Sequence, residues 1–61
     1  MQVTRLFWNS VELANTSSGG DHFAPSVGDE VVVLCETYRV LRRRVIYETG
    51  NIIVYIYLER T

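Results

Sequence analysis

RRRVIYETGNIIVYIYLER, Arg42 to Arg60, sets three consecutive arginines before a turn and an almost unbroken apolar or aromatic run after it. Neither a core nor a solvated surface accepts that mixture, so the stretch must divide its residues between two faces. A two-residue turn at Thr49-Gly50 does this, with Gly50 tolerating positive φ. One face of the resulting hairpin pairs Tyr47 with Ile52, Val45 with Val54, Arg43 with Ile56 and Leu41 with Leu58. The other pairs Ile46 with Ile53, Arg44 with Tyr55, Arg42 with Tyr57 and Val40 with Glu59. A three-residue loop, Glu48-Thr49-Gly50, shifts every pair by one. It drives Arg42 and Arg44 into the core without partners, at a cost on the order of several kcal/mol each. Register follows the face that can be buried, which selects the first arrangement. Arg43 is then the one misfit on the core face, and a bulge near Arg42 to Arg44 would turn it outward.

The rest of the chain reads as short strands around this hairpin. Met1 to Trp8 is rich in strand-forming residues, with Val3, Arg5 and Phe7 on one face and Thr4, Leu6 and Trp8 on the other. Asn9-Ser10 is a turn and Val11 to Ala14 a returning strand. A single helix over Val3 to Ala14 is the rival reading; its β-branched residues and central Asn9-Ser10 speak against it. Asn15 to Asp21, small and polar with adjacent glycines, reads as a flexible loop. His22-Phe23-Ala24 leads to Pro25 as an extended segment, with Phe23 as a core plug. Ser26-Val27-Gly28-Asp29 is a turn, Glu30 to Leu34 a buried strand, and Cys35-Glu36-Thr37 a tight connection. Tyr38 to Tyr47 is a long strand, with a helix over Tyr38 to Arg44 as its alternative. Glu48 to Asn51 is a turn and Ile52 to Arg60 the last strand. The short links after Asp29 predict an antiparallel meander.

Size limits what such a chain can do. Its 61 residues form one domain, 1–61, which buries only about 60% of its unfolded surface. Small domains commonly add a disulfide, a metal or a second subunit. Cys35 is the only cysteine, and with His22 it is far from the full Cys/His set of a structural zinc site. No cofactor or metal is expected, and self-association is favoured. Cys35 reads as a small buried residue, and a lone thiol fits a reducing compartment. Met1 to Leu13 has no signal-peptide core, and Ile52 to Leu58 is too short for a membrane helix of about 20 residues. Asn15-Thr16-Ser17 matches a glycosylation acceptor only by coincidence in an unsecreted chain.

Chemistry-bearing constellations are few. Asp21-His22 lacks a nucleophile, Gly19-Gly20 lacks the context of a phosphate loop, and Asp29-Glu30 lacks further carboxylates. No set amounts to an enzyme site. All six basic residues are arginines, and four of them fall between Arg39 and Arg44. Arginine suits flat, stacked or bidentate contacts. The candidate partner-binding residues are therefore Arg42, Arg44, Tyr55, Tyr57 and Ile53, with Arg39 beside them. The alternative is rim packing, with this face covered by the N-terminal strands. A formal net charge of -1 argues against a general polyanion binder.

Pro25-Ser26-Val27-Gly28-Asp29, Tyr38-Arg39-Val40, Arg42 to Arg44 and Val54-Tyr55-Ile56-Tyr57-Leu58 together resemble a pattern in small uncharacterised proteins of tailed phages and prophages. The glycine such proteins often carry in the turn before Tyr-x-Val is replaced here by Cys35-Glu36-Thr37. The resemblance implies an all-β fold, a small SH3-like, partly open barrel of about five strands. It also implies synthesis in a bacterial host cytoplasm and transfers no catalytic residue. The expected function is non-catalytic binding and modulation of a host protein, with homo-oligomerisation. Nucleic-acid binding through the Arg/Tyr face and a structural role in the virion are the alternatives.

Overall fold

The computed structural model describes residues 2–18 and 25–61. They form five strands: β1 (Gln2–Trp8), β2 (Val11–Ser18), β3 (Glu30–Val33), β4 (Glu36–Glu48) and β5 (Asn51–Arg60). One sheet contains them all in the order β2-β1-β5-β4-β3, curled into a half-barrel. The fold is a small, SH3-like, partly open barrel without helix among the described residues. The helical alternatives over Val3–Ala14 and Tyr38–Arg44 are excluded.

Two antiparallel units make the sheet, the β1–β2 hairpin and the β3–β4–β5 meander. They meet in a parallel pair, β1 with β5, in which Thr4 faces Val54, Leu6 faces Ile56 and Trp8 faces Leu58. A parallel pair needs a long crossover, here supplied by everything between the two strands. The meander expected after Asp29 is present, but the joint that completes the sheet is parallel.

Alternation sorts each strand into an inner and an outer face. The inner face holds the buried Leu6, Tyr38, Val40, Val54, Ile56 and Leu58, with Trp8, Leu13, Ala14, Val31, Val33 and Ile52 packed around them. Ile56, Val40 and Val54 lose nearly all their exposure. Each such side chain contributes about 1.5–3 kcal/mol by leaving water. Trp8 leans on Tyr38 with ring centroids 5.9 Å apart, and the Arg60 guanidinium lies 5.8 Å from the Trp8 centroid. Arg60 also bonds Glu36 at 2.7 Å, closing one end of the core with an exposed ion pair.

The hairpin register is the one the buried face demands. Tyr47 faces Ile52, Arg44 faces Tyr55 and Arg42 faces Tyr57. Beyond Arg42 the pairing shifts, so that Val40, not Leu41, faces Leu58, and Arg39 faces Glu59. The bulge residue is Leu41. It does not turn Arg43 outward as expected; Arg43 stays opposite Ile56, exposed because that stretch of the inner face is open. What the bulge does is bring Tyr38 and Val40 into the core. An uninterrupted strand would have buried Leu41 and turned both of them out.

Other expectations need correction. Asn15 to Ser18 continue β2 instead of beginning a loop. The remainder of that loop, and the expected core plug Phe23, lie outside the described residues. β3 is buried on one face only: Val31 and Val33 pack inward, while Val32 is 70% exposed. Leu34 and Cys35 leave the strand to form its turn, both with positive φ (53° and 65°). Cys35 is exposed, not buried. The Ser26–Asp29 turn is as read: the Ser26 amide donates to the Asp29 carboxylate at 2.8 Å, the Asp29 amide donates to the Ser26 carbonyl at 3.0 Å, and Gly28 has φ +93°.

Candidate binding face

The outer face of the three middle strands gathers the candidate residues. Tyr55 and Tyr57 on β5 are flanked by Arg44 and Arg42 on β4, and by Arg5 and Phe7 on β1. Ile53 lies between Val3 and Ile46. Period-two alternation forces this: whatever is not buried with Val54, Ile56 and Leu58 must share the opposite surface.

The rings interlock. Phe7 stacks against Tyr57 with centroids 5.9 Å apart and planes 25° from parallel. It meets Tyr55 at 5.7 Å in a tilted contact. The Arg5 guanidinium carbon lies 5.3 Å from the Phe7 centroid and 5.4 Å from that of Tyr55. Arg42 takes the equivalent place over Tyr57 at 5.7 Å. Such guanidinium–ring contacts contribute about 0.5–2 kcal/mol each, more when a partner excludes water.

The two flanking arginines differ electrically. Arg5 is clamped by Glu12 through two hydrogen bonds, Nε to Oε2 at 2.6 Å and Nη2 to Oε1 at 3.3 Å. That bonding lowers the Glu12 carboxyl below its usual range and raises the Arg5 guanidinium further. Arg42 and Arg44 have no carboxylate partner among the described residues. The cluster therefore carries uncompensated positive charge on its β4 side.

Arg42, Arg44, Tyr55, Tyr57 and Ile53 are brought together as expected. Arg39 lies on the same outer face one row further along, where the bulge sets it between Glu30 and Glu59. Arg5 and Phe7 complete the site. Their alternation was visible in the sequence, but only the parallel β1–β5 pair brings them beside the tyrosines. The N-terminal strands do not cover this face as a second layer; β1 extends the same layer sideways, and no described strand lies above it.

Among the described residues, no three His, Cys, Asp or Glu side chains gather as a metal site would require. Asp21 and His22 lie outside those residues. Comparison with known proteins finds no matching family model, no similar curated protein and no similar solved structure.

Proposed function

We propose that this chain is a non-catalytic protein-binding module, phage-encoded and directed at a protein of the bacterial host, with the outer β1–β5–β4 face as its contact surface. The observation that carries this reading is the single-layer stack of Arg5, Phe7, Tyr55, Tyr57 and Arg42, with no described strand above it. Tyr and Arg dominate binding hot spots because they combine large contact area with directional polar groups. Here the rings are already packed against one another, so little side-chain freedom remains to be lost on docking. The phage origin and the host cytoplasm rest on the sequence resemblance.

Immobilised protein and a nuclease-treated lysate of the cells carrying the gene provide the test. The wild type retains a discrete protein, and Tyr57→Ala and Arg42→Ala each weaken retention at least about tenfold with circular dichroism unchanged. No retained protein, or retention that survives both substitutions, refutes the proposal.

A second reading draws on one further observation. Phe7 and Tyr57 sit side by side on two adjacent central strands, with arginines on either flank. Single-stranded nucleic acid is bound on such faces by base stacking and backbone neutralisation. Salt separates the two readings, since nucleic-acid affinity falls steeply as salt is added.

A further inference from the structure

The far half of β4 has a neighbour on one side only. Glu36 to Arg39 pair with β3. The Val40 amide then donates to the Asp29 carbonyl, and the Gly28 amide donates to the Val40 carbonyl, both at 2.9 Å. Beyond Val40, no described residue pairs with β4 on that side. Among the described residues, Arg42 to Glu48 are thus an open sheet edge, and all but Ile46 are exposed.

The phase of that edge can be worked out. Glu48 and Asn51 flank the two-residue loop. Such a flanking pair exchanges both its backbone hydrogen bonds, so Glu48, Ile46, Arg44 and Arg42 direct their peptide groups to β5. Arg43, Val45 and Tyr47 direct theirs outward. The bonds of Val40 agree: across the one-residue bulge it too points away from β5.

Free edges are usually blunted, because they template pairing with other chains. This one carries three arginines but also Val45, 36% exposed, and Tyr47, 78% exposed. We infer that the Arg42–Glu48 edge pairs antiparallel with the same edge of a second copy, about a two-fold axis through Val45. In that register Arg42 faces Glu48 of the second copy, Arg43 faces its Tyr47, Arg44 its Ile46, and Val45 its Val45. Every outward amide and carbonyl of Arg43, Val45 and Tyr47 finds a partner. Two opposite-charge pairs form, and each exposed Tyr47 gains an arginine across the strand. Centring on Arg43 or Arg44 sets arginine against arginine. Centring on Ile46 strands the outward groups of Arg43 beside the turn. Val45 is the centre at which the edge complements itself, as a two-fold interface requires.

The interface belongs to the small class, below about 1,200 Å² in total, so the dimer is weak and concentration-dependent. It is built on the edge and shares only Arg42 with the stack on the outer contact surface, so Tyr57→Ala, which breaks the host-protein reading, leaves it intact.

Sedimentation equilibrium over a wide concentration range tests the inference. The wild type passes from monomer to dimer as concentration rises. Arg42→Glu and Glu48→Arg each weaken the dimer about tenfold, because each converts both attractive pairs into repulsive ones. The double variant R42E/E48R restores it. Val45→Pro removes an outward amide that β5 does not use and abolishes dimerisation; circular dichroism verifies that it folds, and the charge reversals decide the matter if it does not. A wild type monomeric throughout overturns the inference. So do single reversals without effect, or dimerisation lost in Tyr57→Ala but kept in both charge variants.

Discussion

Glu36 to Val40 and Arg42 to Glu48 belong to one strand, yet they live under different rules. The first half lies between β3 and β5 and places Tyr38 and Val40 in the core. Among the described residues the second half lies against β5 alone, and its inner-face residues Arg43, Val45 and Tyr47 are exposed. Val40 and Val45 are the same residue type, on the same strand and the same face, at 1% and 36% exposure. Residue type does not separate them; the presence of β3 on one side and a bulge between them does. The molecule is elongated, 35 Å along its longest axis against 19 and 18 Å across. Its radius of gyration is 11.3 Å, where a compact chain of this size has roughly 10.5 Å.

Val40→Glu attacks the flanked half itself and has the largest expected effect. It puts an unpaired carboxylate at a position only 1% exposed, and the chain is expected to lose cooperative folding, read as loss of dispersed amide signals in NMR. The valine pair measures the contrast directly. Val40→Ala costs about 1.5–3 kcal/mol through lost burial and a residual cavity. Val45→Ala stays within about 0.5–1 kcal/mol. Chemical denaturation of both variants gives the difference; equal losses would mean that the overhang is covered in solution.

The turns at the two ends of β4 sharpen the same contrast. The overhanging end turns through Gly50 at φ +78°, whereas the flanked end turns through Leu34 and Cys35, both forced to positive φ. A β-branch-free but bulky leucine pays for that conformation with about 1–2 kcal/mol of steric strain. Leu34→Asn with Cys35→Gly matches the preference of such a turn. It is expected to stabilise the fold by about 1 kcal/mol, raising the melting temperature by roughly 4–8 °C.

The smallest effect concerns Glu12, away from β4. Its bonding to Arg5 depresses its carboxyl pKa. The stability it contributes is present at neutral pH and is lost as pH falls through the folded-state value. Glu12→Gln should lower the neutral plateau of a stability–pH profile slightly and flatten its acid limb, leaving stability at the acid end unchanged; an unchanged limb would show that the pair adds nothing in water.

The C-terminal hairpin was legible from Tyr47 to Arg42 because the Thr49-Gly50 turn and two unlike faces fix one register. The Ser26–Asp29 and Asn9-Ser10 turns were legible from their residue types. The Leu41 bulge was not, because an apolar residue leaving an apolar pattern has no local signature. Leu34-Cys35 hid its turn for the converse reason: neither residue favours positive φ. The β1–β5 pair, and with it the place of Arg5 and Phe7 in the candidate site, depends on strands far apart in the chain. Nothing in either segment alone announces which neighbour it will take.

That parallel joint constrains how the molecule is born. β5 is the keystone between β1 and β4, and it is made after both. Until it leaves the ribosome, the earlier hairpins hold Leu6, Tyr38 and Val40 without the side chains that will shield them. The nascent chain therefore faces proteases and chaperones with its apolar surface uncovered, and its assembly waits until β5 has emerged.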